Sequence, residues 1–180
     1  GHSLHQRGYR KGAGEAPIKE NLAAALLIRA GWPKMMSSPL IDPFCGSATL
    51  LIEAAMMALN IAPGINRKRF AFQNFLNFEK ETWENVVQEA LDAEKEELPF
   101  KFYGFDIDNK VLKMAKDNAK NAGVDQVIEF KKESVATVEP PVEKGLILVN
   151  PPYGARIGDE DNLRDVYRDL SFTLKHRFKG

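Results

Sequence analysis

The sequence is short of cysteine and of long apolar stretches, and each shortage excludes a class of protein. Cys45 is the only cysteine among 180 residues, so no internal disulfide framework can form and a reducing cytoplasm is the expected location. No apolar run approaches the roughly 20 residues of a membrane span, and no signal segment opens the chain. The first residue is Gly1 rather than Met, which favours a piece of a longer protein.

Net charge is absent too, because 25 basic residues balance 25 acidic ones. Any nucleic-acid surface must therefore be local. With 44% hydrophobic and 28% charged residues, the composition is that of one globular domain with a core.

Common cofactor signatures are missing as well. Nothing matches the G-x-G-x-x-G dinucleotide fingerprint, which disfavours a dehydrogenase, and no Gly-Lys-Ser/Thr phosphate loop is present. His2, His5 and His176 lack metal-ligand spacing, so we expect no metal.

A strand, a turn of small residues and a helix follow one another at positions 39–59. The strand ends on Asp42, the turn contains Gly46, and a strongly helical run covers 50–59. This is the shape of a nucleotide site, because glycine admits a ligand to the backbone and a helix start offers free N–H groups. The expected ligand carries an amino acid and a nucleoside, and Asp42 is placed to pair with an ammonium.

Three more strands are predicted, at 100–106, 127–130 and 146–149. The first of them ends on Asp106, which we expect to hold a ribose diol. Asp108 is most simply the N-cap of the helix that follows. The alternation predicts an α/β fold with a parallel, doubly wound sheet of order 3-2-1-4, whose ligands gather at the carboxyl ends of the strands.

Asn150-Pro151-Pro152-Tyr153 directly follows the fourth strand. Proline cannot continue a ladder, so the chain must break there and present polar groups at the sheet edge. An amide, rigid carbonyls and an aromatic ring suit a flat base that bears an exocyclic amine. A strand that merely ends in a proline turn is the simpler alternative.

The chain divides into a lead-in segment, residues 1–14, and a domain, residues 15–180. The lead-in segment mixes cations with an aromatic ring at Arg7, Tyr9 and Arg10, which suits RNA, although a solvated linker is the alternative. A helix is predicted from Pro17 to Gly31, and its Glu20 is placed to reach a cationic ligand.

Residues 60–78 are rich in cations and aromatic rings and contain no acid. Arg67, Lys68 and Arg69 are expected to meet RNA phosphates, whereas the four phenylalanines of the stretch are as well explained by folding back onto the core. The acidic stretch 79–97 that follows is predicted to be a solvated helix.

Together these motifs resemble one family of class I S-adenosylmethionine-dependent methyltransferases, the RlmL-type large-subunit rRNA guanine-N2 methyltransferases. The similarity covers nearly the whole chain. It is carried by residues 3–10 (SLHQRGYR), 16–20 (APIKE), 42–47 (DPFCGS), 53–55 (EAA), 61–64 (IAPG) and 150–154 (NPPYG).

The resemblance implies a Rossmann-like fold, S-adenosylmethionine as cofactor and a guanine of 23S rRNA as substrate. The implied base site is Asn150, Pro151, Pro152 and Tyr153. The expected cofactor site is Glu20, Asp42, Phe44, Cys45, Gly46, Ser47, Thr49, Asp106, Ile107, Ser134 and Asn150. An RNA-binding THUMP domain is expected before this chain, and the resemblance leaves open whether a second methyltransferase domain follows it. The family sheet has seven strands, whereas about four are predicted here. The chain is therefore expected to be a fragment, with one sheet edge unpaired.

Two positions depart from the family pattern. Ala48 replaces a usual second glycine, with little strain expected, and Ser134 replaces an aspartate that often contacts the adenine amine. Alternatives to the guanine-N2 activity are adenine-N6 methylation of DNA or RNA, tRNA guanine-N2 methylation, and a silent cofactor- or RNA-binding module. A carbon-5 pyrimidine enzyme would need a cysteine near the base, which Cys45 does not supply.

Overall fold

The chain alternates helices and strands as the sequence predicts. In the computed structural model, residues 6–10, 18–34, 38–152 and 160–178 are described. Their elements run α1 (Glu20–Arg29), β1 (Leu40–Asp42), α2 (Thr49–Ala58), α3 (Lys80–Asp92), β2 (Phe102–Asp106), α4 (Asn109–Asn121), β3 (Ile128–Lys132), β4 (Leu146–Ile147) and α5 (Glu160–His176). Helix α1 begins later than predicted, and Pro17 lies outside the described residues.

The four strands form one parallel sheet of order β3-β2-β1-β4, which confirms the predicted topology. Asp42 pairs in register with Gly104, and Ile41 pairs with Ile147. The hydrogen bond from Leu148 N–H to the Ile41 carbonyl, 3.2 Å, carries the β1–β4 pairing past the end of β4. Because all four strands run the same way, the segments after their carboxyl ends meet at one edge.

Alternating side chains along the strands contribute to two hydrophobic cores, one on each face of the sheet. On one face, Leu40 and Phe102 pack with the buried sides of α1, α2 and α4. On the other, Ile41 and Phe105 pack with Val138. Helix α5 is tied down by Thr173, whose buried hydroxyl donates to the Val135 carbonyl over 2.6 Å. The period of two along each strand explains this division.

Two small residues, Gly104 and Ala48, lie next to helix α2. A Cβ on Gly104 would lie 2.7 Å from Leu51 Cδ1 and 2.9 Å from Phe130 Cδ1, so any larger residue there would force these side chains to move. Ala48, which precedes α2, has φ +65°. That left-handed conformation costs a non-glycine residue about 1–2 kcal/mol. The expectation of little strain is therefore corrected: the methyl group fits in the core, but the backbone is strained.

Residues 60–78 form an aromatic cluster against α3. The rings of Phe70 and Phe72 lie 5.3 and 5.0 Å from the ring of Trp83, which belongs to α3. Helix α3 has no buried residue, in keeping with the predicted solvated helix. No helix in the described part of the chain is long and apolar enough to cross a membrane.

Candidate active site

A cleft of about 680 Å³ lies at the carboxyl edge of the sheet. It is bounded by the turn after β1, the turn after β2, the segment after β3 and the segment after β4. The residues that line it are Ile18, Asp42, Pro43, Phe44, Cys45, Gly46, Ser47, Thr49, Leu50, Asp106, Ile107, Asp108, Val111, Met114, Ser134, Val135, Asn150, Pro152, Val166 and Asp169. Most of the predicted cofactor residues thus meet in one place.

Asp106 joins the two turns that form the floor of the cleft. Its Oδ2 accepts from Gly46 N–H over 3.2 Å, and its Oδ1 accepts from Asp108 N–H over 2.9 Å. A carboxylate oxygen has two acceptor sites, so each oxygen can still accept a hydroxyl hydrogen. Asp106 is therefore arranged to receive a diol. Asp108 caps α4 through the Lys110 N–H, 2.7 Å away, and also lines the cleft.

Asp42 is a buried acid at the end of β1. Its Oδ1 accepts from Phe44 N–H over 3.0 Å, and the residue is only 1% exposed. The pKa of Asp42 is raised to about 7, chiefly by burial; the hydrogen bond from Phe44 opposes the shift and the nearby Asp106 adds to it. A cation bound beside Asp42 would favour its ionised form.

Cys45 lies in the same turn but is unsuited to nucleophilic chemistry. Burial, with the neighbouring Asp42 and Asp106, holds the pKa of its thiol well above the usual value. The thiol therefore stays protonated, whereas the reactive form of cysteine is the thiolate.

Asn150 and Pro152, which follow β4, line the same space as Gly46 and Asp106. Pro151 is half-buried beside them, and Tyr153 lies outside the described residues. Ser134 also lines the cleft, and its Oγ accepts from Ala136 N–H over 3.2 Å, which leaves its own hydrogen available to a ligand.

Lining residues that the motifs did not reveal come mainly from helices. Val111 and Met114 are one helical turn apart on α4, and Val166 and Asp169 have the same spacing on α5. That spacing is visible in the sequence, but it also describes ordinary core faces. Only the packing of α4 and α5 at the sheet edge shows that these residues face a cleft.

Arg7, Tyr9 and Arg10 do not form an open surface, which corrects their interpretation as residues exposed to RNA. Tyr9 is 2% exposed, and its hydroxyl donates to Glu53 Oε1 over 3.1 Å. Arg7 pairs with the same carboxylate at 3.5 Å. Burial raises the pKa of Glu53, although Arg7 opposes the shift. Tyr9 therefore belongs to the core of the domain, and Arg7 and Arg10 are partly buried around it.

Arg10 and Glu20 continue this buried polar network toward the cleft. Arg10 Nη2 donates to Thr49 Oγ1 over 2.7 Å and to the Ile18 carbonyl over 2.9 Å. Glu20 Oε1 lies 4.0 Å from Arg10 Nε. Glu20 is buried and does not line the cleft, unlike the other predicted cofactor residues.

The cations of residues 60–78 are more accessible. Lys68 and Arg69 are exposed, and Arg69 Nη2 donates to Asn74 Oδ1 over 2.5 Å. Arg67 is half-buried and stands 5.5 Å from the Phe70 ring. Phe75, in the same stretch of chain, is 63% exposed. Within the part of the chain that the structure describes, no group of three His, Cys, Asp or Glu side chains could hold a metal ion.

The sheet and the cleft at its edge define a class I methyltransferase fold, and solved structures share it. A protein of Listeria monocytogenes described as a predicted N6-adenine-specific DNA methylase is 41% identical, with a TM-score of 0.85 over 97% of this chain and 45% of that one. SMU.472, solved in complex with SAH, is 36% identical, with a TM-score of 0.85 over 96% of this chain and 44% of that one.

The family follows from a match over nearly the whole chain. Residues 7–180 match the model of the UPF0020 family, described as the RMKL-like methyltransferase domain, and the chain belongs to this family. Ribosomal RNA large subunit methyltransferase K/L of Shewanella baltica (strain OS185) is 49% identical over 185 aligned residues. The alignment covers all of this chain and 26% of that protein, so the chain spans about a quarter of this relative's length.

Proposed function

We propose that this protein transfers a methyl group from S-adenosylmethionine to the exocyclic N2 amine of a guanine in 23S rRNA. The observation that carries the proposal is the cleft that Asn150 and Pro152 share with Gly46 and Asp106. An amide that can hold an amine thus lies in the same space as the groups that suit an amino acid and a nucleoside.

The cofactor is S-adenosylmethionine, which supplies an electrophilic methyl group when bound. The cleft suits a positively charged cofactor, because four aspartates and no lysine or arginine appear among its described lining residues. Asp106 would hold the ribose hydroxyls and Asp42 the ammonium. Ile107, 67% exposed, and Ser134 would flank the adenine, while Phe44, Cys45, Gly46, Ser47 and Thr49 would surround the amino-acid end.

Asn150 and Pro151 would prepare the amine for attack. The N2 lone pair of guanine is delocalised into the ring, so the free base is a poor nucleophile. Acceptors from the Asn150 side chain and the Pro151 carbonyl would hold the amine hydrogens and direct the lone pair toward the methyl group. Positioning then supplies most of the rate, since the proton can leave after attack.

The substrate must reach the cleft as an extruded or unpaired base, with Tyr153 stacking on it. The name of the Shewanella relative, a large-subunit ribosomal RNA methyltransferase, supports large-subunit rRNA as the substrate. The exposed Lys68 and Arg69 would hold phosphates near the base. An rRNA substrate implies a cytoplasmic location, and a THUMP domain before this chain would add RNA affinity.

Adenine-N6 methylation is the second candidate, favoured by the description of the Listeria relative. An exocyclic amine on adenine would meet the same acceptors. The two activities are separated by incubating the protein with large-subunit rRNA and with DNA, in each case with methyl-labelled cofactor, and then identifying the labelled nucleoside. We expect N2-methylguanosine from the rRNA. Label found only in N6-methyladenine would refute the guanine activity, and cofactor binding without transfer would indicate a silent module.

A further inference from the structure

The described lining of the cofactor cleft contains acidic side chains but no basic one. The acidic residues are Asp42, Asp106, Asp108 and Asp169. The negative charge of these aspartates attracts the ammonium and sulfonium groups of S-adenosylmethionine and repels its α-carboxylate. On the proposed function, on which this inference rests, the carboxylate needs a positive partner from outside the lining.

Arg10 supplies charge directly behind the lining. Its Nη2 donates to Thr49 Oγ1 over 2.7 Å and to the Ile18 carbonyl over 2.9 Å, and both Thr49 and Ile18 line the cleft. The Arg10 side chain is 16% exposed, so water screens its charge only in part. Its Nε makes no hydrogen bond and lies 4.0 Å from Glu20.

The hydrogen bond from Arg10 also sets the direction of the Thr49 hydroxyl. Because Thr49 Oγ1 accepts from Arg10, its own hydrogen must point elsewhere. The neighbour in reach is Ser47 Oγ, 3.3 Å away, which also lines the cleft. One of these two hydroxyls can therefore always offer a hydrogen to an anion in the cleft.

We propose that Arg10 is a positioning residue for the cofactor: its hydrogen bond to Thr49 orients the Thr49–Ser47 hydroxyl pair so that one of the two donates to the α-carboxylate, and its guanidinium places positive charge directly behind that pair. Glu20 then acts through Arg10 by holding the guanidinium in place.

Arg7 provides a matched control for this role. It lies three positions earlier, its side chain is 15% exposed, and it pairs with Glu53 rather than with Thr49. Glu53 does not line the cleft. Arg7→Gln and Arg10→Gln therefore remove the same charge from the same network, but only the second removes a contact with a lining residue.

The test compares two ligands by calorimetry on the purified protein. S-adenosylhomocysteine carries the amino-acid end, whereas 5′-methylthioadenosine has the same nucleoside and sulfur without it. A hydrogen bond that involves a charged group is worth roughly a tenfold to hundredfold change in affinity. We expect Arg10→Gln to weaken S-adenosylhomocysteine by at least about tenfold and methylthioadenosine by less than about threefold. Arg7→Gln should change the ratio of the two affinities little.

Thr49→Val and Thr49→Ser extend the test if Arg10→Gln does not fold. Valine keeps the shape of threonine without the hydroxyl and should show the same selective loss, whereas serine should bind nearly as the wild type does. If Arg10→Gln or Thr49→Val lowered the affinity for both ligands equally, or for neither, the role of Arg10 would be wrong, while the proposed function would stand. A wild-type protein that binds neither ligand would overturn the proposed function with it.

Discussion

At the scale of single residues, the site depends on side chains that use one part of their hydrogen-bonding capacity for the fold and leave the rest for a ligand. Asp106 accepts backbone N–H groups from two turns and keeps free acceptor sites on both oxygens. Ser134 accepts from Ala136 and keeps its hydrogen. Fixing a group in this way lowers the entropic cost of binding, because the side chain is already oriented.

Asn150→Ala and Asp106→Ala are expected to separate catalysis from cofactor binding. Loss of Asn150 should lower turnover by about 100-fold or more, because the amine loses its orientation, with S-adenosylhomocysteine affinity nearly unchanged. Loss of Asp106 should chiefly weaken the cofactor, by roughly tenfold or more. Single-turnover rates and calorimetry measure the two effects. If both variants shifted the same parameter, the division of roles between them would be wrong.

Asp42 is expected to make cofactor binding depend on pH. With the pKa of Asp42 raised to about 7 by burial, the carboxyl group is largely neutral at pH 6 and ionised at pH 8. An ammonium partner binds the ionised form, so S-adenosylhomocysteine affinity should rise across this interval. The rise should level off above about pH 8, where Asp42 is almost fully ionised. Calorimetry at a series of pH values gives the profile.

Asp42→Asn supplies the control, because an amide oxygen can still accept from Phe44. The profile should flatten in this variant. Its stability should change too: an acid whose folded pKa is raised stabilises the fold fully only below its unfolded value of about 4. That contribution is lost as pH rises through 7. The variant should therefore melt on the order of a few degrees higher than the wild type at pH 8. A wild-type affinity that does not change with pH would exclude Asp42 as the ammonium partner.

At the scale of elements, residues 60–78 show how one segment can be both structural and exposed. Phe70 and Phe72 pack with each other and with Trp83, and Phe78 packs with Phe72, so these rings are explained by folding. The packing leaves Lys68 and Arg69 on the outside. The segment is therefore a loop anchored to α3 by its aromatic rings, and it presents Lys68 and Arg69 to solvent.

Charge reversal of this loop tests its role in RNA binding. Lys68→Glu with Arg69→Glu should weaken RNA binding and reduce the slope of log affinity against log salt by about 1 to 2. Lys116→Glu with Lys120→Glu on the exposed side of α4 changes the net charge equally and serves as control. Filter binding across a salt series measures both. Equal losses from the two pairs would mean that the overall field of the protein, rather than this loop, attracts RNA.

At the scale of the whole molecule, the parallel sheet carries the function by bringing separated segments to one edge. Asn150 lies more than 100 positions after Asp42, yet the two strands that precede them are neighbours in the sheet. The strand order could be predicted because βαβ connections are right-handed and ligands gather at the switch point. Gly46, Asp106 and Asn150 could be assigned to one site for the same reason.

Local sequence thus determined the elements, their order and the motifs after β1, β2 and β4, since these depend on hydrophobic period, proline and glycine, which act over a few residues. Tertiary structure alone decided the rest. It buried Tyr9 and turned Arg10 from the expected RNA contact toward Thr49, because a side chain's partner depends on which distant segment packs beside it. It likewise made Val111 and Asp169 part of the cleft, because whether a helix face lines a cleft depends on what packs opposite it. It also raised the pKa of Asp42, because the burial of a side chain depends on residues distant in the chain.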